Sequence, residues 1–315
     1  MVAIHIPVVQ AENLCKHYGE LKAVDGVSFN VQRGECFGIL GPNGAGKTTT
    51  MKMLYGVAIP TAGHLRVLDF DVLQEIRQLK SHLGVIAQEN NLDPDLTVRE
   101  NLVIFARYFG ITGREAQRRA DELLGFSDLT EKAKVRVDKL SGGMKRKLMI
   151  VRGLIHHPKL LILDEPTTGL DPGARLGIWK LLKNLQQEEQ VTLMLTTHYM
   201  EEAQRLCDRL VFMDRGKIIC EGRPDEVVQK QVGAWVLELD VELSGAALAE
   251  LQPRLVAFRV EKGQTYLYSS DGEALFQHLR QRPELSQSSR LTQRKTSLED
   301  VFIHLTGTRL SGDLP

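Results

Sequence analysis

The N-terminal part of the chain shows short alternating apolar and polar runs that are broken by Gly, Asn and Asp. From Val8 onwards the runs are VVQAENLCKHYG, LKAVDGVSFNVQRGE, CFGILG and HLRVLDFD. Runs of this kind, separated by turn residues, are typical of short strands joined by turns. We therefore predict that a β-rich layer opens the fold.

Helical spacing of apolar residues follows, and a largely helical stretch with one polar face is predicted from about Asn91 to Val137. Two helix starts are visible inside it. Thr97 stands three residues before Glu100, and Thr112 three residues before Glu115. Each pair predicts a capping box, in which the hydroxyl and the carboxylate bind unpaired backbone N–H groups.

From residue 159 to residue 213 the apolar runs LLIL, VTLMLTT and RLVFMD alternate with helical stretches. Continuous apolar runs of this length are typical of strands that are buried on both faces of a parallel sheet. This part of the chain is predicted to form the α/β core.

The pattern changes near Val232. WVLELDVEL, LVAFRV and TYLYSS are strand-like, and helices are predicted near 246–251, near 273–280 and after Ser297. The sequence therefore predicts a large domain over residues 8–232 and a small α+β domain over residues 233–315.

Composition narrows the class of protein. The 315 residues are 43% hydrophobic and 25% charged, which excludes disordered and collagen-like chains. Lys plus Arg and Asp plus Glu are both 40, so the basic footprint of a dedicated nucleic-acid binder is missing.

No apolar run has the length of a membrane span. The opening MVAIHIPVV lacks the basic start of a signal peptide, so a cytoplasmic location is expected. Four cysteines without a CxxC pair indicate reduced thiols.

A phosphate-binding loop is the strongest chemical signal. Residues 41–48 read GPNGAGKT, which fits GxxxxGK[ST] between an apolar strand and a helix-forming stretch. Glycines let backbone N–H groups surround phosphate oxygens at a helix N-terminus. Lys47 is predicted to reach the β- and γ-phosphates, and Thr48 to bind Mg²⁺. The predicted nucleotide-binding residues here are Gly41, Pro42, Asn43, Gly44, Ala45, Gly46, Lys47, Thr48 and Thr49.

Two acidic residues end the apolar run LLIL. Asp164 is predicted to hold Mg²⁺ through water, and Glu165 to orient or deprotonate the attacking water. Solvated acids at a strand end would look the same, but the nearby phosphate loop favours the catalytic interpretation.

Leu140-Ser141-Gly142-Gly143-Met144 lies between these two motifs. With them, the sequence resembles the ATP-binding cassette (ABC) ATPases, whose signature at this place reads LSGGQ; here Met144 replaces Gln. The resemblance covers about residues 8–230. It implies that Ser141, Gly142 and Gly143 bind the γ-phosphate held by a partner subunit.

Further positions match the family one by one. The resemblance implies that Tyr18 stacks on adenine and that Gln88 meets Mg²⁺ and the attacking water. It also implies that His198 binds the γ-phosphate and Glu165, and that Asp171 contacts the opposite subunit. The alternatives are a packed strand tyrosine, an exposed loop glutamine, a histidine capping a strand and a turn aspartate.

Longer stretches such as NNLDPDLTVRENL, LTTHYMEEAQRLCDRL and the closing TSLEDVFIHLTG are similar to the export ATPases of the daunorubicin-resistance group, especially the NodI type associated with nodulation-factor export. The resemblance implies an α/β P-loop NTPase with a RecA-like core, an N-terminal antiparallel β subdomain and a helical subdomain at about 91–158. It implies MgATP as ligand, a head-to-tail homodimer, a separate transmembrane permease and no nucleic acid. This chain itself is expected to lie peripherally on the cytoplasmic side of the cell membrane. A lipo-oligosaccharide, a drug or another amphiphile is the expected substrate.

Two other classes of protein remain open. One is a soluble ABC ATPase that acts on ribosomes or DNA, and the other is a module that senses ATP without hydrolysing it.

Two local patterns are ambiguous as well. Phe105, Tyr108 and Phe109 lie at helical spacing, which favours core over docking surface. The run 145–147, Lys-Arg-Lys, favours a solvated face near the dimer phosphates over a nucleic-acid patch.

Overall fold

The computed structural model describes residues 7–281 and 290–307. Two compact units, Met1–Ile219 and Cys220–Pro315, divide the chain. The division lies N-terminal to the boundary that the sequence predicts near Gly233. The first residues of the opening segment MVAIHIPVV and the end of the predicted small domain lie outside the described residues.

The first unit opens with a four-stranded sheet in the order β2-β1-β4-β5. Its pairs are antiparallel, and it confirms the predicted β-rich layer. Alternate side chains of these strands pack into the core, since successive residues of a strand point to opposite faces. The strands are β1 (Val9–Tyr18), β2 (Leu21–Val31), β4 (Ala62–Val67) and β5 (Phe70–Asp71).

A six-stranded sheet in the order β10-β9-β3-β8-β7-β6 forms the centre of the unit. The neighbours from β9 to β6 are parallel. All residues of β3, β7 and β8 are buried, as their continuous apolar runs predict. The strands are β3 (Cys36–Leu40), β6 (Leu83–Ile86), β7 (Leu160–Asp164), β8 (Thr192–Thr197), β9 (Arg209–Asp214) and β10 (Lys217–Gly222).

Helices connect these strands, and three of them follow one another in the predicted helical stretch and just after it. The capping box of Thr97 and Glu100 is confirmed. The one predicted for Thr112 is wrong: a helix begins there, but Glu115 binds Arg118 and Arg119 instead. The helices are α1 (Lys47–Leu54), α2 (Ile76–Lys80), α3 (Val98–Ala106), α4 (Gly113–Phe126), α5 (Gly142–Arg152), α6 (Pro172–Gln187) and α7 (Met200–Leu206), with 3-10 turns at Arg107–Phe109, Thr130–Lys132 and Val137–Lys139.

The aromatic residues after α3 are only partly core. Phe105 and Phe109 are half-buried, and the Phe109 ring stacks on His156 with 3.7 Å between ring centroids. Tyr108 is 81% exposed, so the core interpretation is wrong for this residue. The 3-10 turn that carries it rotates its side chain away from the face that α3 buries.

The second unit has a four-stranded antiparallel sheet in the order β12-β13-β11-β14. Leucines from both strands and helices form its core. The predicted strands and helices are found, whereas the sequence did not predict the polar strand β14. The elements are α8 (Pro224–Val232), β11 (Trp235–Leu239), α9 (Gly245–Leu251), a 3-10 turn (Gln252–Arg254), β12 (Ala257–Glu261), β13 (Gln264–Ser269), α10 (Gly272–Arg280), β14 (Leu291–Lys295) and α11 (Leu298–Thr306).

Long apolar helices are missing from the described part of the chain: none of its helices has the length and apolar character that crossing a membrane requires.

Candidate active site

Three neighbouring parallel strands end at one edge of the six-stranded sheet. Leu40 at the end of β3 is paired with Thr197 of β8, and Asp164 at the end of β7 is paired with Thr196. Loops that follow the carboxyl ends of adjacent parallel strands line a common crevice. The sheet therefore brings the phosphate loop, the acidic strand end and His198 to one place.

The phosphate loop has a backbone that requires glycine. Gly46 has φ 104°, and a Cβ there would lie 2.4 Å from the carbonyl oxygen of Ala23. Gly41 has φ 149°, and its Cβ would lie 2.1 Å from the carbonyl oxygen of Met213. Both distances are impossible for a side chain, so these positions accept only glycine.

Lys47 is the first residue of α1 and is buried. Its Nζ donates hydrogen bonds to the carbonyl oxygens of Gly41 at 2.8 Å and Pro42 at 3.0 Å. Burial lowers the pKa of Lys47, while the carboxylates of Glu165 and Asp164 act in the opposite direction. The ammonium group is thus held at the rim of the phosphate loop. Of the other predicted loop residues, Asn43 and Gly44 are exposed, Ala45 is buried, and Thr49 lies in α1.

Oxygen atoms suited to a hard cation meet beside this loop. Thr48 Oγ1 lies 3.4 Å from Asp164 Oδ1. Asp164 is buried and also accepts a hydrogen bond from Thr196 Oγ1. Mg²⁺ prefers oxygen ligands such as carboxylates, and the side-chain amide of Gln88 is close by, with its Nε2 donating to Glu165. This donor set fits a magnesium ion.

Glu165 is the centre of the polar cluster. Gln88 Nε2 lies 3.2 Å from its Oε2, and His198 Nδ1 lies 3.4 Å from its Oε1. Thr168 Oγ1 donates to Oε2 at 3.0 Å. The bond from His198 lowers the pKa of Glu165; burial opposes this, and the Thr168 bond supports it. The side chain is therefore a carboxylate at neutral pH, and it accepts hydrogen bonds only.

The backbone of Glu165 is also unusual. Its φ is 46°, in the left-handed region that costs a residue with a Cβ of the order of 1–3 kcal/mol. The N–H of Glu165 donates to both the carbonyl oxygen and Oγ1 of Thr196. These bonds from β8 hold the strained turn and direct the carboxylate into the crevice.

Five predicted residues lie outside this cluster. Tyr18 is 50% exposed, with Lys16 Nζ 4.8 Å from its ring centroid, which excludes the alternative of a packed strand tyrosine. Ser141 caps α5 and Asp171 caps α6 through their side-chain oxygens. Gly142, next to the Ser141 cap, is exposed, and Gly143 is half-buried. The turn before α5 is therefore open to a second molecule.

Comparison with known proteins gives a family for this fold and site. Residues 24–168 match the family described as ABC transporter. A "Nod factor export ATP-binding protein I" from Paraburkholderia xenovorans is 44% identical over 96% of this chain and 98% of its own length. The chain belongs to the ABC transporter family. A protein with the same name from Rhizobium etli is 44% identical over 96% of this chain and 94% of its own length.

Solved structures of ABC cassettes agree with the fold. The cassette cbiO1 from Clostridium perfringens has a TM-score of 0.67 and 28% identity, and covers 79% of this chain and 96% of its own. A dimeric cassette in a post-hydrolysis state, bound to ADP and Pi, has a TM-score of 0.62 and 28% identity over 68% of this chain and 98% of its own. The predicted P-loop fold of ABC type is confirmed, and this ABC protein is an ATP-hydrolysing enzyme.

The second unit carries a match of its own. Residues 246–307 match the family described as "Nodulation factor export protein NodI, C-terminal domain". The predicted resemblance to the NodI type is thereby confirmed for both parts of the ABC protein.

Sequence reasoning missed several residues that hold the site of this ATPase. Thr168 and Thr196 bind Glu165 and Asp164, but threonines in the runs EPTTG and LTTH carry no signal of their own. Arg146 is buried, so the solvated-face interpretation is wrong for the middle residue of the Lys-Arg-Lys run. The burial follows from carbonyl oxygens that the fold brings to it from distant segments.

A second group of metal-ligand types lies on the β1–β2 hairpin. Ligand atoms of Cys15, His17 and Asp25 lie within 4.8 Å of one another. Lys22 and Lys217, however, are 3.9 Å and 3.6 Å from the Asp25 carboxylate. Because these ammonium groups already offset its charge, the hairpin is a poor cation site compared with the Thr48 and Asp164 pair.

Proposed function

We propose that this ABC ATPase uses MgATP to drive export through a separate membrane permease. The observation that carries the proposal is the cluster in which Gln88, His198 and Thr168 surround the Glu165 carboxylate, next to the Lys47 ammonium and the Thr48–Asp164 pair. Each group has the chemistry that phosphoryl transfer needs: a phosphate-binding cation, oxygen ligands and a carboxylate for water.

The hydrolytic step follows from these groups. Water held by Glu165 attacks the γ-phosphorus, the bond from that phosphorus to the bridging oxygen breaks, and ADP leaves. The lowered pKa of Glu165 makes it a weak base, so it chiefly orients the water and takes the proton late. Lys47 and the loop N–H groups stabilise the charge on the phosphate oxygens. Mg²⁺, held by Thr48 and Asp164 with Gln88 nearby, supplies further charge neutralisation when bound.

A head-to-tail dimer would complete the site. The Ser141–Gly143 turn opens α5, and its Ser141 and Gly142 are exposed, so the helix N-terminus is available for an anion from another molecule. The dimeric, ADP-bound cassette among the similar structures supports this arrangement. We place the γ-phosphate of one subunit against this turn of the other, with Asp171 near the same interface and Tyr18 under the adenine.

The relatives' names support a proposal for the class of cargo. Proteins called "Nod factor export ATP-binding protein I" match nearly the whole chain, and a NodI C-terminal domain matches the second unit. We infer an amphiphile of the lipo-oligosaccharide or drug type as cargo. The ATPase would then lie peripherally at the cytoplasmic face of the membrane, bound to its permease, with residues 8–232 as the nucleotide-binding domain and 233–315 as the accessory domain.

ATP turnover tests the enzymatic part. Purified protein, alone and with its permease, is assayed for phosphate release with and without Mg²⁺. We expect Mg²⁺-dependent hydrolysis. If the protein binds ATP but releases no phosphate in the presence of Mg²⁺, either alone or with its permease, it is an ATP sensor. The proposed mechanism is then wrong.

A pull-down tests the transport part. The Glu165→Gln protein, loaded with MgATP, is used to capture partners from detergent-solubilised membranes, which are identified by mass spectrometry. A protein with several membrane spans supports export. Recovery of ribosomal or DNA-repair proteins would replace transport by a soluble ABC function while leaving the ATP chemistry unchanged.

A further inference from the structure

One buried guanidinium connects three segments of the site. Arg146 lies in α5, one turn after the Ser141–Gly143 turn, and it is 7% exposed. Its Nε and Nη atoms donate mainly to backbone carbonyl oxygens, and Nη1 also lies 4.0 Å from Met149 Sδ. The acceptors are Pro166 at 2.7 Å, Ala87 at 2.7 Å, Asp164 and Glu165 at 3.1 Å each, and Gln88 at 3.5 Å.

These acceptors fall into two groups that the mechanism uses. Ala87 and Gln88 belong to the loop after β6, which carries the amide that meets Glu165. The other three span the turn after β7, where Glu165 has its left-handed backbone. Arg146 therefore fixes the two loops against each other and against α5.

The chemistry of arginine fits this place. Guanidinium has five N–H donors in a rigid plane and remains charged in proteins. Burial lowers the pKa of Arg146, while Glu202 and Asp164 oppose this. A buried charge is stable only when its donors are satisfied, and here carbonyl oxygens satisfy them. Lysine has a single ammonium group, which cannot reach acceptors spread around the whole plane.

We infer that Arg146 is a positioning residue that sets the distance between the Gln88 side chain and the Glu165 carboxylate. Within the described residues its hydrogen bonds to oxygen all go to backbone carbonyl groups, and it is part of neither the phosphate loop nor the Thr48–Asp164 pair. Since the same residue lies one turn behind the signature turn, a shift of α5 towards or away from a partner subunit changes the Gln88 and Glu165 loops together. This inference rests on the proposed hydrolytic role of Glu165.

Arg152 gives a matched comparison on the same helix. It is buried like Arg146, but it donates to the carbonyl oxygen and side chain of Asn91 and covers the ring of Phe105. It thus binds the loop that carries Gln88, and within the described residues it makes no hydrogen bond to the turn that carries Glu165. Weakening Arg152 loosens one loop, whereas weakening Arg146 loosens both.

The experiment compares Arg146→Lys and Arg146→Gln with Arg152→Lys in the full-length chain. The Gln variant leaves no buried charge, so it tests the role if the Lys variant is unstable. Far-UV circular dichroism and thermal unfolding select a temperature at which each protein is folded. Steady-state hydrolysis then gives kcat and KM for MgATP, and a fluorescent ATP analogue gives the binding affinity.

We expect both Arg146 variants to lose kcat by roughly 10- to 100-fold, because a displacement of about 1 Å at a reacting group has that effect. The KM for MgATP and the affinity for the analogue stay near those of the wild type, since none of the hydrogen bonds of Arg146 in the described part of the chain goes to the phosphate loop. Arg152→Lys is expected to lower kcat less than Arg146→Lys or Arg146→Gln does.

Two results would overturn the inference: an unchanged kcat in a folded Arg146 variant, or an equal loss in Arg152→Lys, which would mean general loosening of α5. Inactive wild-type protein is a different failure, because it contradicts the proposed function itself. An active wild type with active Arg146 variants contradicts only the positioning role.

Discussion

The two units of the chain use buried charged groups in opposite ways. In the first unit Lys47, Asp164 and Glu165 meet at an open crevice and retain capacity for a ligand. In the second unit Asp300 is enclosed by its own partners. It accepts hydrogen bonds from Arg294, Tyr268 and the N-cap residue of α11.

Sheet topology accounts for the difference. In the parallel sheet of the first unit, β3, β7 and β8 end at the same edge, so side chains from separate segments converge there. In the antiparallel sheet of the second unit, neighbouring strands end at opposite edges. The same kinds of side chain therefore form the proposed reaction site in one unit and a structural support in the other.

Glu165→Gln gives the largest expected effect. Loss of the carboxylate should lower kcat by about 10²- to 10⁴-fold, the usual contribution of such a group, while the melting temperature stays close to that of the wild type. Phosphate release and calorimetry check the two expectations. A folded variant with more than about a tenth of wild-type kcat would contradict the assigned role.

Asp300→Ala should have the opposite profile. Burial favours the protonated form of Asp300, but Arg294 and Ser297 hold its pKa below the ordinary value. Removing the carboxylate leaves buried donors unpaired, which should lower the free energy of unfolding by about 2 kcal/mol without changing kcat. Denaturant unfolding is the measurement.

Glu238→Ala is the matched control, because Glu238 binds the same Arg294 at 2.7 Å from a half-exposed position. The expected loss is below about 1 kcal/mol. An equal loss in both variants would show that the enclosure of Asp300 is unimportant.

His156 gives the first unit a dependence on pH away from its active site. Burial lowers the pKa of His156 to about 4; one ring nitrogen meets the Leu83 carbonyl oxygen at 2.9 Å, and the other is buried without a partner. From its ordinary pKa of 6.5 down to about 4, the unfolded chain binds a proton that the folded chain does not. The free energy of unfolding therefore decreases as the pH is lowered through this window, by at most about 1.4 kcal/mol per pH unit.

Urea unfolding from pH 7 to pH 4 measures this slope. The slope should be smaller in His156→Gln, whereas a His157→Gln control, changed at the exposed neighbour, should keep it. Equal slopes in wild type and His156→Gln would rule out this residue as the source.

The smallest predicted effect separates the two helix starts. Thr97→Ala should cost about 1 kcal/mol, because both bonds of the capping box are present. Thr112→Ala should cost only a few tenths of a kcal/mol, since its hydroxyl makes no capping bond. Chemical unfolding of the two variants decides this, and a larger loss for Thr112→Ala would reverse the assignment.

Much of the fold and of the site follows from local sequence rules. The apolar runs predict the buried strands, and Gly41 and Gly46 identify the phosphate loop because its backbone excludes a Cβ. The burial of Arg146 could not be predicted in this way, since its acceptors Ala87 and Pro166 lie 59 and 20 residues away in the chain. The strand β14 was missed because LTQRK has no buried apolar face.

Because Glu165 has a left-handed backbone, the residue that would best stabilise the fold at this position is not the residue that hydrolysis needs. Glycine adopts this conformation without strain, so a library of random variants selected only for survival at high temperature would accumulate Gly at position 165 and lose hydrolysis. A library selected for growth that depends on export would keep the strained glutamate. The residue found at position 165 after selection would therefore show whether the selection acted on thermal stability or on ATP hydrolysis.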